Sequence, residues 1–275
     1  MDNKKYPMSW EESVRQLKTQ PDQYDLVRFS FYDDPLCGAA DRYYHSSEWK
    51  AVQLLIGLSR GNALDIGSGR GISAYALARD GWNTTALEPD PSTEVGAGAI
   101  RQLVADTGVQ IKVVENWGEE LPFESDSFDL VHCRQVLHHA HDLNMLCREA
   151  ARVLKTDGVF IATREHVLSR QEDLETFLSQ HPLHRLYGGE NAFMLEEYVS
   201  AITSAGIKLI KTLNPMESDI NLFPQTIDEV KYRIAGKLFL PSPRLVPDWV
   251  LSWRGRTNDS PGRLYSFFGK KLKNK

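Results

Sequence analysis

Residues 63–71 read Ala-Leu-Asp-Ile-Gly-Ser-Gly-Arg-Gly, and this stretch constrains the fold more than any other. A short apolar run of Ala63, Leu64 and Ile66 ends in glycines at alternate positions, Gly67, Gly69 and Gly71, with Ser68 and Arg70 between them. A helix-like segment from Ile72 to Arg79 follows at once. Strand, glycine turn, helix is how a doubly wound α/β domain presents backbone N–H groups to a nucleotide-like ligand. The glycines serve a tight turn where a Cβ would block the ligand's approach.

A glycine turn alone also fits a loop with no ligand, so its neighbours decide its meaning. Asp65 stands at the strand end, two residues before Gly67. Glu88 follows a second apolar run, Asn83 to Leu87, about twenty residues after the glycines. A carboxylate at the end of the second strand suits a ribose diol, because it can accept from both hydroxyls. NAD sites use similar spacing but carry G-x-G-x-x-G. Here the third glycine comes one residue early and position 72 is Ile, which disfavours an NAD-dependent oxidoreductase.

Two further blocks lie downstream: residues 121–139, from Leu121-Pro122-Phe123 to His138-His139, and residues 148–163, around Arg152-Val153-Leu154 and Asp157-Gly158. With these blocks in order, residues 40–165 closely resemble the class I S-adenosylmethionine-dependent methyltransferases, in the broad type 11 group that includes ubiquinone-biosynthesis-like enzymes. The resemblance implies a Rossmann-like, doubly wound seven-stranded α/β sheet. That sheet is mostly parallel, with an antiparallel last strand inserted between the fifth and sixth. It also implies S-adenosylmethionine as the cofactor.

At 275 residues the chain can bury one large core and is expected to form one structural domain overall. A net charge of −5 supplies no basic footprint, so nucleic acid is not an expected partner. Cys37, Cys133 and Cys147 are too scattered for a disulfide framework or a zinc site, and reduced thiols suit a cytoplasmic protein. The first residues lack an apolar signal segment, and no run approaches the ~20 apolar residues of a membrane span. The basic end, from Lys270 to Lys275, reads as a terminal strand and a solvated tail, so membrane contact is not expected.

The organisation reads as an N-terminal arm or cap (1–45), a cofactor-binding core (46–165) and a completion of the sheet (166–275). Strands are predicted at 62–66, 83–88, 111–115, 128–133, 158–163, 207–213 and 263–268. Helices are predicted at 10–19, 47–58, 72–79, 95–106, 142–154, 171–180, 195–205 and 227–238, with Thr156-Asp157-Gly158 as a stop after the fifth of these. Two insertions, 166–193 and 214–258, are placed where substrate lids are built.

The candidate cofactor residues follow. Gly67, Ser68, Gly69 and Gly71 form the loop, Asp65 orients it or meets the cofactor amino group through water, and Glu88 clamps the ribose. Aligned on Leu121-Pro122-Phe123, Trp117 stands where the resembling family has an acid. It either stacks on adenine or packs on the sheet edge, while Asn116 or Glu119 is left to meet the exocyclic amine. Cys133 and Arg134 end the fourth strand on the rim facing the cofactor. By the resemblance, the segment holding Tyr43 lies over the cofactor, where the ring either packs near the sulfonium or simply packs the arm.

His166, just past the fifth strand, and His138 are the candidate bases, although methyl transfer can proceed on positioning alone. His181 and His184 lack an acidic partner at ligand spacing, so no metal is expected. Tyr187-Gly188-Gly189-Glu190-Asn191 is a bendable loop rich in hydrogen-bonding groups. The reading is methyl transfer to a small-molecule or carrier-linked acceptor, an O-methyltransferase on a sugar or surface-glycan precursor. The alternatives are a quinone or lipid C-methyltransferase and a non-catalytic cofactor-binding partner protein.

Overall fold

The computed structural model describes residues 8–273. Residues 1–7, 274 and 275, including Lys275 of the basic end, lie outside the described residues. Its strands are β1 (Asn62–Ile66), β2 (Asn83–Leu87), β3 (Ile111–Val114), β4 (Phe128–Arg134), β5 (Leu154–Leu168), β6 (Phe193–Met194), β7 (Ile207–Leu213) and β8 (Arg263–Lys271). Their order is β3-β2-β1-β4-β5-β8-β7, with the two-residue β6 paired to the end of β5.

The first five strands are parallel to their neighbours, and β8 runs antiparallel to both β5 and β7. This is the predicted seven-stranded path, with β6 as an addition. Strand order reverses between β1 and β4, so a crevice opens beyond the carboxyl ends of those two strands.

Side-chain alternation along the strands separates two cores. Leu64, Ile66, Val131 and Cys133 join the cluster under the helices Leu143–Val153 and Leu195–Ser204. Ala63 and Leu130 point the other way, into a cluster with Tyr43, Trp49, Tyr75 and Leu77 from the helices Leu36–Tyr44, Ser47–Ile56 and Ile72–Arg79. Burial on both faces is what requires the apolar runs the strands carry.

The structure departs from the sequence expectation at β5. Thr156-Asp157-Gly158 does not end the preceding element, which stops at Val153; it is absorbed into a long strand with Asp157 at φ 62°. Farther along, the β5–β8 register shifts between Ala162 and Glu165, and Arg164 sits at φ 61°. This bulge re-aims the strand and carries His166 to the crevice, with Glu165 fully buried behind it.

The two insertions also differ. Segment 166–193 reaches the crevice through His181, Pro182, Leu183, Tyr187 and Glu190. No described residue of 214–258 does so. Instead that segment folds its helices Ile227–Lys237 and Asp248–Arg256 around a small cluster of its own, Val230, Ile234, Ala235, Val246 and Leu251. The basic end behaves as a strand: Lys271 in β8 donates to Asp126 and to the Leu154 carbonyl. None of the described helices is long and apolar enough to cross a membrane.

Candidate active site

The crevice is a cavity of about 560 Å³, a size suited to a cofactor or small molecule. It has a glycine end and a histidine end, joined along the rim of β4 and β5.

The glycine end is built from backbone. Gly67 adopts φ 61°, and a Cβ there would lie 2.6 Å from Val136 Cγ2, so only glycine fits by both conformation and space. Ser68 pins the loop by donating its N–H to the Leu87 carbonyl at 3.1 Å and its hydroxyl to the Asp65 carbonyl at 2.8 Å. The Glu88 carboxylate accepts from the N–H of Gly69 at 2.7 Å and of Asp90 at 3.0 Å, one on each oxygen. Burial pushes the Glu88 carboxyl up to about 7 despite those two donors. Gly67, Ser68, Gly69 and Glu88 all line the cavity.

Asp65 and Gly71 do not. Asp65 is fully buried behind the loop, where its carboxylate accepts from the Ser73 hydroxyl at 2.7 Å and meets His132 Nδ1 at 2.6 Å. It therefore fixes the loop to the following helix instead of reaching a ligand. Gly71 caps that helix in a left-handed conformation, φ 83°, facing Ile100.

Trp117 lines the cavity and is 57% exposed, and Gly118 beside it packs against Ile66 and Leu146. Asn116 is not at the cavity: its side chain accepts from the Trp117 N–H at 2.8 Å, a local turn bond available to any asparagine. Glu119 does line it, while accepting from the His141 N–H at 2.9 Å.

At the end of β4, Cys133 is a packing residue. It is fully buried in the apolar cluster, away from the cavity, and burial pushes its thiol far above its ordinary value. Arg134 does line the cavity and forks onto Glu48 at 2.7 and 3.0 Å. Arg164, also at the rim, stands 3.9 Å from the same Glu48 and donates to the carbonyls of Ile220 at 2.7 Å and Phe223 at 3.1 Å. Burial alone would raise the Glu48 carboxyl, but Arg134 and Arg164 outweigh it and hold it below the usual range.

Tyr43 is not at the cavity either. Its helix turns it inward, between Phe31 at 5.2 Å and Trp49 at 5.6 Å. The arm reaches the cavity with Trp10, Phe31 and Tyr32 instead.

The histidine end is built from side chains of separate segments. Glu165 accepts from the N–H groups of Val136 and His138, both at 3.1 Å, and meets His138 Nδ1 at 2.7 Å, so it anchors the turn Leu137–His139. Carbonyl oxygens only accept, so the Nδ1–H of His139 donates to Gly189 O at 3.0 Å and the Nδ1–H of His166 to Gly262 O at 2.8 Å. Burial lowers His138 well below its ordinary value and takes His166 down to about 3, leaving both neutral at pH 7.

Glu190 comes into their midst. It is 7% exposed, accepts from the Tyr187 hydroxyl at 2.8 Å, and lies 3.7 Å from His138 Nε2, 3.8 Å from His139 Nε2 and 3.9 Å from His181 Nδ1. Burial would raise its carboxyl, but the surrounding histidines and the Tyr187 hydroxyl hold it below the ordinary range. The fold thus supplies the acidic partner that sequence spacing around His181 did not show. Glu48, Arg164, Glu165 and Tyr32 also escaped the sequence reading. Their only signal was polar character in otherwise apolar or strand-end settings.

A family model described as a methyltransferase domain matches residues 64–162. The uncharacterized methyltransferase YcgJ of Bacillus subtilis is 36% identical over 124 residues, which span 42% of this chain and only 45% of that relative. A ubiquinone biosynthesis O-methyltransferase of Rhizobium leguminosarum is 25% identical over 224 residues, 78% of this chain and 83% of its own.

Among solved structures, a putative sarcosine dimethylglycine methyltransferase from Galdieria sulphuraria superposes with a TM-score of 0.60. It is 19% identical and covers 95% of this chain and 98% of that one. Phosphoethanolamine N-methyltransferase 2 of Haemonchus contortus, solved with S-adenosyl-L-methionine, gives 0.57 at 19% identity, covering 90% of this chain and 60% of that one. At such identities the superpositions speak for the fold. With the sequence matches, they support a class I S-adenosylmethionine-dependent methyltransferase of the type 11 group, whose methyltransferase domain here spans residues 64–162.

Proposed function

We propose that this protein transfers a methyl group from S-adenosylmethionine to a hydroxyl oxygen of a small polar acceptor bound at the histidine end. The observation that carries this reading is one continuous cavity with a diol-accepting carboxylate at one end and neutral imidazoles at the other. The residues fit the cofactor: Glu88 retains lone pairs for two ribose hydroxyls, and Gly67 and Gly69 carry no Cβ to stand in the way. Trp117 offers a ring face for adenine. Arg134 and Arg164, two cations against the single Glu48, favour a ligand carboxylate near the β4–β5 rim.

When bound, the cofactor supplies an activated methyl group on a sulfonium. The protein's own part is to hold the acceptor oxygen in line and to take its proton. His138 and His166 both present a neutral Nε2 for that proton, and the Glu190 carboxylate stabilises an imidazolium formed 3.7 Å away at His138. Tyr187, Glu190 and His139 supply polar groups suited to a sugar-like acceptor. A phenolic acceptor is the second reading, favoured by the relatives named ubiquinone biosynthesis O-methyltransferase.

Calorimetric titration with S-adenosylhomocysteine, with NAD as control, tests the cofactor half. Micromolar binding that is lost in Glu88→Ala supports it, and binding of NAD instead overturns it. A transfer assay with labelled cofactor then sets nucleotide sugars and glycans against phenols and quinols. Methylation confined to phenols would discard the sugar-like acceptor.

A further inference from the structure

We propose that His166, His181 and Glu190 hold one divalent transition-metal ion at the histidine end of the cavity. This deepens the proposed function, since it rests on that end receiving the acceptor. One potential ligand atom from each residue lies within 4.8 Å of the other two. The three come from separate places: the end of β5, the residue after the helix Asp173–Gln180, and the loop beyond His184–Tyr187.

The argument begins with lone pairs. His166 spends its only N–H on Gly262 O, so its Nε2 carries a lone pair. His181 Nδ1 stands 3.9 Å from Glu190 Oε1, beyond hydrogen-bonding reach, and accepts a long 3.4 Å bond from the His184 N–H, which a metal ion would displace. His166 Nε2 and the Glu190 carboxylate, both lone-pair donors, therefore converge with His181 with no hydrogen bond among the three, in a setting where Glu190 is 7% exposed. A cation at their centre removes that conflict.

The spacing is close to what a metal imposes: two ligands each ~2.1 Å from a tetrahedral ion stand roughly 3.4 Å apart. Small side-chain movements close the difference.

The supporting contacts also match. A ligating imidazole is normally oriented by donating its other N–H to a carbonyl or carboxylate, as His166 does to Gly262. Glu190 is held in turn by the Tyr187 hydroxyl at 2.8 Å. Two imidazoles and a carboxylate suit zinc, cobalt or iron better than magnesium or calcium. Three protein ligands leave an open position, and all three line the cavity, so that position faces the acceptor. A hydroxyl bound there would be acidified, and its proton would pass to His138 Nε2, which stays free on the opposite side of Glu190 at 3.7 Å from Oε2.

The test is a titration of chelator-stripped full-length protein with Co²⁺, followed by visible absorption, with Zn²⁺ competition and equilibrium dialysis. One Co²⁺ per chain is expected, with ligand-field bands of low coordination number. Glu190→Gln and His181→Ala should each weaken binding by about 100-fold or more, while His139→Ala leaves it intact. Calorimetry with S-adenosylhomocysteine runs on the same samples. The variants should keep cofactor affinity, which shows them folded and separates a failed metal site from a failed cofactor site. Absence of stoichiometric Co²⁺ binding overturns the proposal, as does binding untouched by both variants. Loss in His139→Ala with retention in His181→Ala would overturn the assigned ligands.

Discussion

The two ends of the cavity are made of different material. At the glycine end, backbone N–H groups and one carboxylate do the work, and the parts are neighbours by strand pairing. Ile66 pairs with Leu87, so the residues just beyond them, Gly67 to Gly69 and Glu88, must meet. At the histidine end, His138, His166, His181 and Glu190 are brought together from a turn, a bulged strand and an insertion. The first end follows from the fold itself. The second exists only if a particular insertion takes a particular path.

The sharpest way to break this contrast is to remove what both ends share. Glu48 is fully buried and holds Arg134, at the end of β4, and Arg164, at the β5 bulge. Glu48→Gln leaves two buried guanidinium groups without their charge partner, a loss of about 3–5 kcal/mol. For a chain of this size that is a fall in Tm on the order of 10 °C. Thermal unfolding would show it, and both cofactor and acceptor affinities should suffer together. A loss at one end only would mean the rim is not the common support.

The next effect separates the ends. Glu88→Ala removes the carboxylate that satisfies Gly69 and Asp90 and is proposed to clamp the ribose. A charged acceptor of this kind is worth about 3 kcal/mol, or on the order of 100-fold in S-adenosylhomocysteine affinity. Metal binding at the histidine end should be unchanged. Calorimetry on the two ligands decides whether the ends are independent.

A pH measurement sharpens the glycine end further. The Glu88 carboxyl sits near 7 in the folded protein, against an ordinary value of 4.5. Between those values the folded state holds a proton that the unfolded chain has lost. Stability therefore falls as pH rises from about 4.5 to 7 and is flat outside that window, by on the order of 3 kcal/mol in all. Glu88→Gln removes this contribution. The stability difference between variant and native protein should shift in the variant's favour across the window, as read by urea unfolding at pH 5 and pH 8. No change in that difference would mean the carboxylate is already ionised and solvated.

These contrasts follow what the sequence could and could not disclose. The strands themselves, the loop at Gly67–Gly71 and the place of Glu88 were legible because each rests on short-range pattern: apolar runs, turn glycines and an acid at a strand end; the place of the antiparallel last strand came from the family resemblance alone. Alternation along β4 turns the Cys133 side chain into the apolar core, leaving only its backbone at the rim, while Arg134 beside it faces the cavity. Tyr43 takes the second of its two sequence readings, packing the arm. Its helix buries it against Trp49, and the aromatics that reach the cavity, Phe31 and Tyr32, precede that helix. Glu190 was visible as part of a polar loop, but nothing in its spacing pointed to histidines that the β5 bulge delivers. A bulge that depends on register with β8, about a hundred residues later, leaves no local signature.

The smallest predicted effect concerns the loop where sequence comparison was least able to choose. Trp117 lines the cavity and is more than half exposed, while the Asn116 side chain is spent on the Trp117 N–H. If the ring covers the adenine, Trp117→Ala should weaken S-adenosylhomocysteine binding by about 5–10-fold, within the 1–3 kcal/mol typical of base stacking on an aromatic. Asn116→Ala should change it by less than about 2-fold, since it loses only a local turn bond. Both variants should keep the native Tm closely, because neither side chain belongs to a buried cluster. Equal, small losses would assign the adenine to Gly118 and Glu119 instead. A larger loss in Asn116→Ala would mean that the loop changes its hydrogen bonds when the cofactor arrives, so that the glycine end, too, depends on something the strand pairing does not fix.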